Sequence, residues 1–146
     1  MLQGDIAGQF AMNNLNRAEK YELGGAYGIR AYPEGEASGD DAVRIGIDLK
    51  YNLGDAGPLG DANFKVFYDW GHVQSFHDPE NIVLATPNRY NLQGVGVGFD
   101  FRRSNQFELS LALAKPLGSH RGTIEDVNSD GSSRDTRVLI RAMFRF

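Results

Sequence analysis

Hydrophobic and polar residues alternate with a period of two along most of this 146-residue chain. In residues 42–51, for example, Val43, Ile45 and Ile47 fall on one side and Arg44 falls on the other. Successive side chains of a β-strand point to opposite faces, so this pattern predicts a strand with one apolar and one polar face. The alternation recurs in six segments, which are residues 2–12, 42–51, 63–71, 91–102, 106–115 and 135–146. We therefore expect an all-β fold, built as a curved antiparallel sheet of about six strands.

The predicted strands are joined by connections of two lengths. Long polar connections at residues 13–41, 72–90 and 116–134 alternate with shorter ones at residues 52–62 and 103–105. All five prolines lie outside the strand cores or at their ends, as a hydrogen-bonded ladder requires. Long loops on one rim and short turns on the other are typical of an outer-membrane β-barrel.

Two classes of protein share this alternation: a soluble antiparallel sandwich that buries its apolar face, and a membrane barrel that turns this face towards lipid. Two features favour the barrel. The polar faces carry glycine, glutamine and charges of both signs, which suit a wet lumen. The apolar faces carry aromatic residues towards the strand ends, as an interfacial girdle does. The mean hydropathy of -0.39 also agrees with strands that hide an apolar face in alternation.

The amino-acid composition argues against nucleic-acid binding, cysteine chemistry and a transmembrane helix. The formal net charge is -4 and no run of basic residues occurs, so we expect no nucleic-acid partner. Cysteine is absent from the sequence, which removes disulfides and thiolate metal sites. No apolar stretch approaches the roughly 18 residues that a transmembrane helix needs.

Residues 24–40, which read GGAYGIRAYPEGEASGD, interrupt the alternation with a glycine-rich stretch. A loop this long inside a β-rich chain is uncommon unless it serves as a lid, a plug or a binding loop. Arg30 lies near its centre between Ile29 and Tyr32. We therefore expect the loop to present a positive charge on a partly apolar surface.

The order and spacing of these residues resemble the loop signature of the two-partner-secretion outer-membrane transporters, the haemolysin activation and secretion proteins. That signature is a Gly-Gly pair, then Val-Arg-Gly-Tyr-Pro, then Gly-Glu-Ala-x-Gly-Asp. The matching positions are Gly24, Gly25, Ile29, Arg30, Tyr32, Pro33, Gly35, Glu36, Gly39 and Asp40. Ala31 stands where the family usually has glycine, so we expect this position either to need no positive φ or to tolerate one at some strain.

The resemblance implies that residues 1–146 are the carboxy-terminal segment of a haemolysin activation/secretion-type β-barrel domain, with the earlier strands and the periplasmic POTRA domains outside this chain. The implied function is export of a partner exoprotein across the bacterial outer membrane, without a cofactor. The implied partners are that exoprotein, outer-membrane lipid and the barrel-assembly machinery. A barrel-assembly insertase, a passive porin or adhesin barrel, and a soluble β-sandwich are the alternatives, and residues 33–40 favour secretion over insertion.

One charged pair follows from both the resemblance and the alternation. In the family, the loop arginine folds back into the barrel and meets the aspartate of a Phe-x-Asp motif, which here is Phe67 and Asp69. The alternation independently places Asp69 on the polar face. We therefore expect Arg30 to contact Asp69 and Tyr32 to pack against a wall aromatic such as Phe67. A solvated loop arginine beside an unrelated carboxylate is the alternative.

The last predicted strand ends in an apolar stripe that includes Ile140, Ala142, Phe144 and Phe146. A stripe with a terminal aromatic resembles the signal by which outer-membrane proteins are handed to the assembly machinery. The resemblance therefore assigns Phe144 and Phe146 to insertion, and an ordinary edge strand is the alternative.

Other patterns do not indicate chemistry. Residues 126–131 match the first half of a calcium-binding loop, but Arg137 stands where the glutamate at the twelfth position belongs. His72, His77 and His120 fit no metal template. No nucleophile, base and acid stand in a catalytic context, so we expect neither a metal site nor an enzyme.

The polar face also predicts the character of an inner wall. Gly94, Gly96 and Gly98 leave one strand face bare, with room for an inserted loop or a passing chain. The wall would carry charges of both signs, from Arg44, Lys50, Lys65, Arg102, Arg137, Arg141, Arg145, Asp5, Asp48, Asp69, Asp100 and Glu108. We expect such a wall to stay wet and to let an unfolded polypeptide slide along it without sticking.

Overall fold

The computed structural model describes residues 1–80, 82–104, 106–119, 122, 127–133 and 135–145. These residues form an all-β structure with two single-turn 3-10 helices, at Arg17–Glu19 and Gly57–Leu59. The strands are β1 (Leu2–Gln9), β2 (Tyr21–Glu22), β3 (Ser38–Gly39), β4 (Asp41–Asp55), β5 (Asp61–Gln74), β6 (Arg89–Arg103), β7 (Phe107–Leu117) and β8 (Arg137–Phe144). In the part of the chain that is described, no helix is long and apolar enough to cross a membrane.

Six of the strands form one antiparallel sheet in the order β1-β4-β5-β6-β7-β8, which confirms the predicted fold class. The two shortest strands, β2 and β3, pair with each other inside the long connection between β1 and β4. Each of β1 and β8 has a single neighbour among the described residues, so the sheet is open at both edges. An open sheet of this kind is consistent with part of a β-barrel.

The strand boundaries differ from the predicted ones at two places in particular. The first strand ends at Gln9 rather than at residue 12, because the amide of Ala11 donates to the carboxylate of Asp41 at 2.7 Å instead of continuing the ladder. The strand β4 continues past its predicted end to Asp55, and a bulge between Asn52 and Gly54 absorbs the turn-forming residues.

The two faces of the sheet follow the predicted alternation. One row across the sheet contains Asp48, Phe67, Gly96, Ala114 and Arg137, all of which belong to the predicted polar face. We call this the inner face, because the long connection between β1 and β4 folds over it. One cleft is lined by residues from all six strands of the sheet, so the sheet is curved around it.

The apolar face of the sheet, which we call the outer face, is exposed. The exposed fraction of the side chains is 44% for Val66, 40% for Val97 and 71% for Ile140. The buried apolar core lies on the opposite side, where loop residues pack on the inner face. Its members are Leu23, Ile29, Ala31, Tyr32, Ala37, Ala42, Phe67, Val73, Tyr90, Leu92, Ala112 and Ala114. The soluble-sandwich alternative, which requires a buried apolar face, therefore does not describe this arrangement.

Candidate functional site: the arginine of the inward loop

The inward loop, residues 23–40, is held in a compact form by its own backbone. The amide of Gly24 donates to the carbonyl of Glu36 at 3.1 Å, and the amide of Gly25 donates to the carbonyl of Tyr32 at 3.0 Å. A Cβ on Gly24 would lie 1.9 Å from the carbonyl oxygen of Pro33, so only glycine fits there. The loop therefore turns back on itself, with Arg30 in the turn.

Apolar residues dock this loop on the inner face at positions where the sheet has no side chains. Leu23 and Ile29 are fully buried, and a Cβ on Gly71 would lie 3.0–3.1 Å from atoms of both side chains. Ala31 is also fully buried, and its Cβ would lie 2.5 Å from a Cβ on Gly94. At Gly94, the room predicted from the alternate glycines is therefore occupied by the inserted loop.

The backbone at Ala31 does not adopt the left-handed conformation. Among the described residues other than glycine, positive φ angles occur at Ala37, with a φ of 56°, and at Ser104, with a φ of 52°. Of the two possibilities left open for the alanine, the first therefore applies: residue 31 needs no positive φ. The left-handed positions of the loop are Gly25, Gly35 and Ala37.

The predicted contact between Arg30 and Asp69 is present. The backbone amide of Arg30 donates to Oδ2 of Asp69 at 3.0 Å, Nε donates to the same oxygen at 2.9 Å, and Nη2 donates to Oδ1 at 2.6 Å. The Asp69 side chain is only 2% exposed. The planar guanidinium matches the two oxygens of the carboxylate, which fixes direction as well as distance.

A second carboxylate, Asp48, completes the coordination of the guanidinium. Nη2 of Arg30 donates to Oδ1 of Asp48 at 2.6 Å, and Nη1 donates to Oδ2 at 3.3 Å. Sequence reasoning placed Asp48 on the inner wall but did not pair it with the loop. Asp48 lies opposite Phe67 on β5, and Asp69 is two residues further along β5 on the same face. The two carboxylates are therefore neighbours on the inner face, which only the register of the two strands reveals.

The guanidinium of Arg30 also stacks on the ring of Phe67, with Cζ 3.6 Å from the ring centroid. The Phe67 ring itself packs against Gly96 of β6, where a Cβ would lie 2.2 Å from the ring. The arginine thus occupies the place that we expected Tyr32 to take, while Tyr32 is buried in the same apolar cluster. We call Arg30, Asp48, Asp69 and Phe67 the arginine cluster.

The two carboxylates of the arginine cluster keep the guanidinium of Arg30 charged. Burial by itself would lower the pKa of Arg30, but the hydrogen bonds and negative charges of Asp69 and Asp48 outweigh this effect, and the net pKa lies above its ordinary value. Two carboxylates around one guanidinium leave a formal charge of minus one. Removal of the arginine would therefore bring two carboxylates together without a counter-charge.

The two acidic residues of the signature join the inward loop to the other long connections. Asp40 is fully buried, pairs with Lys20 at 2.8 Å and accepts the amide of His77 at 2.9 Å. Burial would raise the pKa of Asp40, but Lys20 and the backbone donors hold it below its ordinary value. Glu36 is 2% exposed and accepts the amide of Ser129 at 2.6 Å. The loop is thus tied to the β5–β6 connection and to the β7–β8 connection.

A family model for the haemolysin secretion/activation proteins ShlB, FhaC and HecB matches residues 1–101, which is more than half of the chain. The chain belongs to this family. The matched residues include the inward loop and the whole arginine cluster, whereas β7 and β8 lie beyond the match.

Individual relatives of this family member agree with the assignment. The heme/hemopexin transporter protein HuxB, from two strains of Haemophilus influenzae, is 30% identical over 118 residues, which is 79% of this chain. The chain spans about a fifth of the length of these curated relatives. No solved structure matches it.

The rest of the inner wall in this haemolysin secretion/activation protein carries paired charges. Arg44 pairs with Asp5 at 2.6 Å, and Lys65 pairs with Asp100 at 2.6 Å. They line an open cleft of 720 Å³ beside the arginine cluster. Tyr27, at the tip of the loop, is 71% exposed in this cleft.

The remaining predicted site residues lie elsewhere. Gly39 is part of β3 and pairs with Tyr21, and a Cβ there would lie 2.4 Å from the carbonyl of Gln74. Phe144 lies on the outer face, 62% exposed, with its ring centroid 5.1 Å from that of Phe107. Phe146, the second aromatic assigned to insertion, lies outside the described residues.

The calcium-like segment and the histidines, which the sequence did not assign to metal sites, form hydrogen bonds or close contacts with other protein residues wherever the structure describes them. The amide side chain of Asn128 donates to Ser132 and to the carbonyl of Ser133, whereas the first residue of the calcium-like pattern, Asp126, is outside the described residues. His72 and His77 lie beside Asn91 and Asp41, and His120 is likewise outside them. The described part of the chain contains no group of three or more His, Cys, Asp or Glu residues able to hold a metal ion.

Proposed function

We propose that residues 1–146 are a carboxy-terminal segment of an outer-membrane β-barrel that exports a partner exoprotein by two-partner secretion. The observation that carries this proposal is the arginine cluster, which holds a family signature loop on the polar face of a sheet whose apolar face stays exposed. A barrel in lipid needs that arrangement of faces. The family description supports secretion, and the HuxB name supports transport.

In this proposal the arginine cluster positions the loop, and the paired wall charges contact the exported chain. Five hydrogen bonds and one stacking contact of a single residue would be excessive for a loop that only covers a pore, but they define a single loop position. An unfolded polypeptide moving through the cleft would meet neutralised ion pairs such as Arg44 with Asp5, rather than a continuous apolar stripe.

Two further partners belong to the same proposal. The exposed outer face would contact membrane lipid, and the terminal aromatics Phe144 and Phe146 would be read by the barrel-assembly machinery. The insertase alternative shares the loop arginine, but the Glu36 and Asp40 anchors belong to the segment that resembles the secretion signature. We therefore favour export over insertion of other proteins.

The experiment is a secretion assay with Arg30→Ala and Asp69→Ala variants of the full-length protein and its exported partner. Both variants should reach the outer membrane as folded barrels, recognised by their heat-modifiable migration, yet release much less exoprotein into the medium. Arg17→Ala is the matched control, because Arg17 lies in the same connection and is exposed. Full secretion by both variants would contradict the proposal.

A further inference from the structure

A second cleft, of 630 Å³, lies at the rim of the sheet that carries the short turns. It is lined by Pro58 and Leu59 from the β4–β5 turn, by Arg103 and Gln106 beside the β6–β7 turn, and by Phe107, Phe144 and Arg145. No carboxylate lines this cleft among the described residues. The cleft therefore combines positive charge with apolar walls.

The register places the cleft on the outer face of the sheet. Arg103 lies opposite Phe107, which in turn lies opposite Phe144, so these three side chains form one row across β6, β7 and β8. The two rings contact each other with centroids 5.1 Å apart. Directly above this row on β6, Phe99 and Phe101 stack with ring centroids 6.4 Å apart and continue towards the exposed apolar band.

The outer-face arginine of the cleft, Arg103, has donors to spare. Its Nη1 donates to the carbonyl of Pro58 at 3.2 Å, and its guanidinium forms no ion pair within the described part of the chain. Arg145 borders the cleft from the inner face instead, because its Nη2 lies 3.6 Å from the sulfur of Met143, which is opposite Glu108 of the inner wall. A guanidinium offers five N–H donors in a fork that fits phosphate oxygens, so most of the capacity of Arg103 is available to an anion.

We propose that this cleft binds the phosphate of an anionic phospholipid in the periplasmic leaflet. The inference rests on the proposed function, because the short-turn rim of an outer-membrane barrel lies on the periplasmic side. There Arg103 binds the phosphate, while Phe107, Phe144 and Leu59 contact the glycerol and the first part of the acyl chains. An arginine beside an apolar surface at headgroup level is suited to such a ligand.

The test is photo-cross-linking of the full-length protein in vesicles that contain equal amounts of radiolabelled phosphatidylglycerol and phosphatidylcholine. A benzophenone amino acid replaces Leu59 in the cleft, or Val97 in the apolar band as the matched control. At position 59 we expect labelling by phosphatidylglycerol about fivefold above phosphatidylcholine. At position 97 we expect equal labelling. Arg103→Gln should remove the preference at position 59, whereas Arg102→Gln, on the inner face, should retain it.

The outcomes separate this inference from the proposed function. Equal labelling by both lipids at position 59, a preference that survives Arg103→Gln, or cross-linking of position 59 to protein instead of lipid would overturn the phospholipid site while leaving the barrel intact. Loss of the preference in excess inorganic phosphate would show a general anion site and would also overturn it. Absence of lipid labelling at position 97 would instead contradict the membrane placement on which the inference depends.

Discussion

Ala31 lies directly over Gly94, so closely that a Cβ on residue 94 would be 2.5 Å from the Cβ of Ala31. The family signature has glycine at this position of the loop. Here the methyl group of Ala31 fits because the facing residue of the wall, Gly94, has no side chain. The pair therefore reports on the docked position of the loop independently of the arginine cluster.

The first prediction is that Gly94→Ala destabilises the docked loop and that Ala31→Gly restores it. The added methyl group has no space while Ala31 is present, and overpacking of this kind costs about 1–3 kcal/mol. The free energy of unfolding of the full-length protein in urea, measured for both single variants and the double variant, gives the coupling. Additive effects of the two substitutions would show that the residues do not touch.

The second prediction ranks the two carboxylates of the arginine cluster. Asp69 accepts three hydrogen bonds from Arg30 and is 2% exposed, whereas Asp48 accepts two and is 18% exposed. Asp69→Ala should therefore lower the free energy of unfolding by about 3 kcal/mol, towards the value for breaking a buried pair. Asp48→Ala should cost about 1–2 kcal/mol. The same urea titration measures both, and a larger loss for Asp48→Ala would refute the ranking.

The third prediction concerns the acidic anchors, Glu36 and Asp40. Glu36→Ala should accelerate hydrogen exchange at the amide of Ser129, since that amide loses its acceptor. Asp40→Ala should do the same at the amide of His77. Each variant is the control for the other. Exchange that rises at both amides in either variant would show global loosening of the loops instead of two separate anchors.

The fourth prediction concerns the two faces of the sheet. Val97→Arg, in the middle of the outer face, should cost about 2–4 kcal/mol of folding free energy in lipid vesicles. Asn63→Arg, which adds the same side chain on the inner face beside the cleft, should cost much less because that surface is wet. Equal costs measured by folding titrations would contradict the assignment of the faces.

The sheet and its faces were predictable because alternation fixes the orientation of every side chain in a strand once one face is known. Asp69 was assigned to the inner face in this way, and the resemblance supplied its partner Arg30. The role of Asp48 was not predictable, because it depends on the register between β4 and β5. That register includes the bulge between Asn52 and Gly54, which a turn-like sequence conceals.

The extension of β5 to Gln74 was missed for a different reason. Beyond Gly71 the ladder is held partly by polar pairs across the strands, with His72 beside Asn91 and Gln74 accepting from Arg89 at 2.7 Å. Residues 72–74 lack a clear alternation of apolar and polar side chains, so a prediction based on that alternation assigns them to a connection. Side-chain hydrogen bonds that only the register brings together therefore set the end of this strand.

The inward position of the loop is tested most directly by the rate at which a thiol at residue 29 reacts with a maleimide in outer membranes. The chain contains no cysteine, so Ile29→Cys gives a single thiol, and the smaller side chain does not overpack the docked loop. Tyr27→Cys is the control, because Tyr27 at the tip of the loop is 71% exposed whereas Ile29 is fully buried. We predict slow labelling at position 29, fast labelling at position 27, and a marked rise at position 29 when Arg30→Ala is added. Similar rates at the two positions, or a rate at position 29 unaffected by Arg30→Ala, would contradict a loop held on the inner wall by its arginine.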